Sequence, residues 1–209
     1  MKQFRLMLYV LVSSFSIYFL SCQTKPDKSF ERIPDKLLKT EDLIKGILPT
    51  RQYEYWACFR QDMGGVRNPQ TEIITSKGNI SKLMNIKFNT PKSGFKNQMW
   101  RGYYYIAYIE KDSVNLVTNE KQLIRFLTSV NSIEEALLIA SIKGFDVDHN
   151  RPIGSSFKKV KNGYELYLVK FHKCTVKTEP FKVYIDTLGN LKAKSLGFYY
   201  DVDSNTCLD

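Results

Sequence analysis

Histidine is almost missing from these 209 residues: only His149 and His172 occur. That excludes multi-histidine catalytic centres and His-rich metal clusters. No Cys-x-x-Cys pair occurs, which removes the zinc-ribbon and dithiol-redox classes. No internal repeat or low-complexity tract stands out. The longest apolar run, Leu6–Leu20, is broken only by serines. At about 1.5 Å of rise per helical residue it falls short of a hydrocarbon core about 30 Å thick. Acidic residues are absent from Ile73 to Ile109, and overall they are outnumbered 31 to 21 by Lys and Arg, for a formal charge of +10. The rest is ordinary globular composition, 43% hydrophobic and 25% charged, which excludes a disordered or many-pass membrane chain.

What is present starts at the N-terminus. Lys2 and Arg5 precede the short apolar run, the layout of a secretory signal. Phe19-Leu20-Ser21-Cys22 closes it and resembles the bacterial lipoprotein signal, a small residue followed by an obligatory cysteine. The resemblance implies thioether attachment of diacylglycerol to Cys22, cleavage after Ser21, and further acylation, for instance by palmitate, of the new amine. More than one chain makes such anchoring stable, each buried methylene adding roughly 0.8 kcal/mol. Gln23, not Asp, at the second mature position points to the outer membrane. Residues 1–21 then form a signal peptide, 22–40 a lipid-anchored tether rich in Lys with Pro26 and Pro34, and 41–209 one domain. The mature chain keeps 29 basic and 21 acidic residues.

Within the domain, Glu41–Leu48 reads as a short helix ended by Pro49, and Tyr53–Phe59 as an aromatic strand. Further strands are expected in 71–90, with a turn at Lys77-Gly78-Asn79, then over Trp100–Ile109 and Val114–Thr118. Leu123, Phe126, Leu127 and Val130 share one helical face. Ser132-Ile133-Glu134-Glu135 is a capping box, and the helix behind it, apolar on every side through Ala136–Ala140, belongs between two layers. Tyr164–Phe171 is a strand. Phe181, Val183 and Ile185 alternate with Lys182, Tyr184 and Asp186, giving one dry and one wet face. Leu188-Gly189-Asn190 turns into a returning strand. The expected class is α+β: an antiparallel sheet with two central helices packed on one face.

The stretch Ser132-Ile-Glu-Glu-Ala-Leu-Leu-Ile-Ala, then Gly163-Tyr-Glu-Leu-Tyr-Leu-Val, then Phe181-Lys-Val-Tyr-Ile-Asp-Thr-Leu-Gly-Asn-Leu resembles the PepSY pattern of an acidic-capped helix followed by strands and a hairpin. Residues 146–162 depart from that compact pattern. The resemblance implies a non-catalytic, extracytoplasmic module, in some members associated with protease inhibition, and it carries over no functional residue.

With Cys22 given to lipid, Cys174 and Cys207 are the expected disulfide, and Cys58, inside an aromatic strand, a buried thiol. Candidate catalytic pairs are thin. Cys174 lies two residues from His172, and Ser155-Ser156-Phe157-Lys158-Lys159 holds Ser-x-x-Lys twice without the other motifs of penicillin-recognising enzymes. The runs Asp146-Val147-Asp148-His149-Asn150 and Asp201-Val202-Asp203-Ser204-Asn205 lack the Gly and Glu of a calcium loop. Neither a metal nor a cofactor is expected. The acid-free stretch interleaves aromatics with cations and nominates Lys87, Lys92, Lys96, Trp100 and Arg101 as an anionic-ligand patch. An anchored protein would offer it to lipid headgroups, an anionic glycan or a protein partner, not to nucleic acid. The expected function is a non-catalytic, membrane-anchored binding or accessory module of the bacterial envelope. An inhibitor or immunity-type protein for a secreted hydrolase comes second, and a hydrolase last.

Overall fold

The structure, a computed structural model, describes residues 26–62, 70–81, 88–98, 102–173 and 176–199. They form two antiparallel sheets and three α-helices, an α+β fold. Sheet A contains β1 (Glu31–Arg32), β7 (Ser156–Val160), β8 (Gly163–Lys173), β9 (Val176–Asp186) and β10 (Leu191–Ser195), in that spatial order. Sheet B has the order β3 (Thr71–Gly78), β2 (Tyr55–Gln61), β5 (Gly102–Glu110), β4 (Lys96–Gln98), with β6 (Ser113–Val117) also on β5.

The helices explain why there are two sheets and not one. α1 (Thr40–Lys45) stops at Gly46, where a Cβ would sit 2.4 Å from Glu134 Cγ, so glycine lets α1 approach the third helix. α2 (Glu120–Leu127) starts at Asn119, whose side chain accepts from Gln122 N, and buries Leu123, Phe126 and Leu127 on one face. α3 (Ile133–Ile142) opens with the Ser132–Glu135 capping box, and its residues Glu135–Ala140 are all buried. A helix buried on every side needs an apolar layer on both sides. One continuous core supplies them: Trp56, Cys58, Tyr104 and Ile106 from sheet B, the helices, and Tyr164, Leu166, Leu168, Val183 and Ile185 from sheet A.

Glu135 is the polar exception inside this layer. Its carboxylate accepts from Leu48 N at 3.0 Å, Asn131 N at 2.8 Å and Ser132 N at 3.3 Å. It thereby ties the connection after α1 to the start of α3. Burial pushes its carboxyl above the ordinary value despite these donors.

The segment expected as a tether joins the fold earlier than its composition suggests. Ile33 and Leu37 are buried, β1 pairs with β7, and the Phe30 ring meets Tyr167 edge-on at 4.9 Å. Three apolar side chains among many lysines suffice: Ile33 and Leu37 join the core shared with the helices, and Phe30 packs on Tyr167. No described helix is long and apolar enough to cross a membrane.

Candidate ligand-binding surface

The outer face of sheet A is assembled by one turn. Asp186 accepts from Leu188 N (2.9 Å), Asn190 N (2.8 Å) and Asn190 Nδ2 (2.9 Å). Burial pushes the Asp186 carboxyl up, but these bonds and the nearby Lys192 charge outweigh it and hold it low. The turn sets the register of β10 on β9, and the inward burial of Val183 and Ile185 forces Lys182 and Tyr184 outward. Two cross-strand rows result. Lys158, Glu165, Tyr184 and Lys192 form the first; Ser156, Tyr167, Lys182 and Lys194 form the second. Four lysines thus share a face with a single glutamate, Glu165, which pairs with Lys182 at 3.0 Å. Lys182 and Lys194 stand directly opposite each other, an arrangement that destabilises a sheet. A shallow depression of about 220 Å³ lies among Lys182, Tyr184, Lys192, Ala193 and Lys194.

The beginning of the described chain lands on this face. Lys158 Nζ and Lys182 Nζ lie 5.9 and 5.8 Å from the Phe30 ring centre, within cation–π range. The Asp27 carboxyl, held low first by its bonds to Ser29, also feels Lys158 and Lys182.

The patch nominated from the acid-free stretch is placed differently. Lys92 is exposed. Lys96 is half-buried, and its Nζ donates to Ser141 O at 2.6 Å, joining the Gly144 N–H on this carbonyl at the end of α3. Burial pulls its pKa down, with Asp146 acting against the shift. Lys87, Trp100 and Arg101 lie outside the described residues, as do Cys22, Cys174 and Cys207. Cys58 is a buried free thiol whose pKa burial raises.

Arg60 and Lys96 of sheet B are consumed instead. Register brings Glu72, Arg60, Tyr104 and Lys96 into one row. The Tyr104 hydroxyl donates to Glu41 and accepts from Gln98 Nε2 at 2.7 Å, while Arg60 bonds both Glu41 and Glu72. Burial and the bond to Glu41 raise the Tyr104 pKa. For Glu41, burial pushes up, but Tyr104, its own backbone and Arg60 win and hold the carboxyl low. This row brackets α1 to sheet B. Its signal in the sequence is faint, because Glu41, Arg60, Glu72 and Tyr104 are far apart and only strand register aligns them.

Of the candidate catalytic pairs, Ser156 with Lys159 does not assemble, and Cys174 with His172 has its cysteine outside the described residues. β7 is extended, so Ser156 and Lys159 point to opposite faces. Ser156 Oγ donates to Pro152 O and Ser155 Oγ to Arg151 O, while Lys159 reaches over Tyr164. His172 Nε2 lies 2.8 Å from Glu179 Oε2. In the first acidic run, Asp148 accepts from Asn150 N at 3.1 Å and from the Tyr199 hydroxyl at 2.6 Å, and Asp146 is bridged through its backbone to Val169. The second run lies outside the described residues. Among the described residues no three His, Cys, Asp or Glu side chains converge as a metal site would require.

No protein-family model, curated protein or solved structure matches the chain.

Proposed function

We propose that the protein is a non-catalytic, lipid-anchored module of the bacterial envelope that lays the lysine face of sheet A against an anionic surface. One observation carries this reading: the chain enters the fold on that face. Between Cys22 and Pro26 stand only Gln23, Thr24 and Lys25. Four extended steps reach at most about 14 Å. A lipid on Cys22 therefore holds the rows of Lys158, Lys182, Lys192 and Lys194 close to the headgroups. Each lysine near an anionic surface adds roughly 1 kcal/mol, within a screening distance of about 8–10 Å. The acyl chains supply the anchor and the lysines supply orientation, a division of labour that also accounts for keeping Lys182 opposite Lys194.

The test has two arms. Cells fed labelled palmitate should label the protein, and Cys22→Ser should abolish the label and leave the signal uncut. The purified lipidated protein should bind phosphatidylglycerol vesicles more tightly than phosphatidylcholine vesicles, with the difference erased by salt or by Lys182, Lys192 and Lys194→Glu. An unlabelled protein overturns the anchor; a headgroup preference that survives the triple substitution overturns the lysine face.

A further inference from the structure

A second recessed surface lies away from the lysine rows, where the connection after α1 runs into sheet B. It is a pocket of about 280 Å³ lined by Leu48, Pro49, Arg51, Gln52, Tyr53, Trp56 and Lys77. That size stands near the lower end of small-molecule sites.

Its walls are fixed before any ligand arrives. Leu48 N is held by the buried Glu135, Thr50 N donates to Leu127 O at 3.1 Å, and Asn131 Nδ2 donates to Thr50 Oγ1 at 2.8 Å. The Tyr53 hydroxyl donates to Phe126 O at 2.9 Å, and the Tyr53 ring stacks on Phe126 at 4.9 Å. Trp56 meets the same Phe126 ring edge-on at 5.5 Å and is buried, with only 3% of its surface open. Register places Lys77 directly opposite Trp56. A rim pinned this firmly nevertheless keeps the Leu48 side chain 52% exposed.

The chemistry of the lining is two-sided. Leu48, Pro49 and Trp56 make an apolar wall, while Arg51, Gln52 and Lys77 supply donors. No described lining residue is acidic. Arg51 gives one nitrogen to Glu110 and lies over Tyr53 at 5.8 Å, which orients its fork and leaves other guanidinium N–H groups for a ligand. Lys77 has no ion-pair partner among the described residues.

We propose that this pocket binds a small amphiphilic anion, a carboxylate carried on an apolar or aromatic body. The carboxylate sits between Arg51 and Lys77, and the body lies against Leu48 and Pro49, with the small open part of Trp56 at its base. Nothing in this site depends on the lipid anchor or on the lysine rows, so it stands or falls separately from the membrane reading.

Benzoate is the probe, titrated into the full chain carrying Trp100→Phe, so that the remaining indole N–H resonance reports Trp56. Benzoate should shift that resonance saturably. Benzyl alcohol, which lacks the charge, and acetate, which lacks the body, should each bind more weakly. Removing one cation should weaken benzoate by about tenfold, the worth of one hydrogen bond to a charged group. Lys77→Gln, on an exposed edge strand, carries this test even if Arg51→Gln disturbs folding through Glu110. Lys192→Gln with Lys194→Gln should leave the titration unchanged. A Trp56 resonance that does not respond to benzoate, or a response that Lys77→Gln leaves intact, overturns the proposal.

Discussion

Sheets A and B both carry rows of basic residues, and the protein treats them in opposite ways. In sheet B, Arg60 is bracketed by Glu41 and Glu72, and Lys96 closes the end of α3. In sheet A, four lysines share a face with one glutamate, two of them directly opposed. The first row is used up in holding the fold together. The second is left at some cost to the fold, and that cost supports the proposed binding role. Charge counted along the chain cannot separate the two cases; partners across the strands can.

The contrast rests on the layer between the sheets, so the largest effect comes from there. Leu138→Ala, in the buried middle of α3, should lower stability by about 2–5 kcal/mol in denaturant melts and disturb both sheets together. Independent melting of the two sheets would break the picture of a shared core.

Next comes the bracket of sheet B. Tyr104→Phe leaves Glu41 with Arg60 alone and takes the acceptor from Gln98 Nε2, and should cost about 1–3 kcal/mol by the same measurement. A neutral result would mean that this row is as idle as the other.

The acid limb of stability follows from the same groups. Glu41 and Asp186 are held below their ordinary values of 4.5 and 3.8, so each stabilises the fold above those values and loses that contribution as pH falls through its lowered native pKa. Glu135, pushed above 4.5, has the opposite sign: its contribution declines as pH rises through that value. Glu41→Gln should therefore flatten the loss of melting temperature on acidification. An acid limb of unchanged steepness would contradict the assignment.

The smallest effect is the most pointed. Lys194→Glu replaces a lysine–lysine opposition with an ion pair to Lys182 and should raise stability by roughly 0.2–1 kcal/mol. It should do so while weakening binding to anionic vesicles. A substitution that improves the fold and harms the surface separates the two roles in one protein.

Much of the fold was legible residue by residue. The capping box at Ser132 and the unbroken apolar run behind it point to a helix between layers, and α3 lies there. Alternation over Phe181–Asp186 shows one dry and one wet face. Register was not legible, because it depends on the Asp186 turn, and so Lys192 and Lys194 could not be placed beside Lys182. Lys96 looks free in an acid-free stretch, yet the helix end it caps lies 45 residues away. Phe30, Ile33 and Leu37 are too few to signal a packed segment among lysines, and only the assembled core and Tyr167 give them partners.

The proposed function turns on which face of the protein meets a bilayer. Amine-reactive footprinting of the lipidated protein on vesicles addresses that directly. Lys182, Lys192 and Lys194 should be shielded on phosphatidylglycerol and labelled on phosphatidylcholine, with exposed Lys92 labelled on both. Equal labelling of the three sheet A lysines on the two lipids would contradict it.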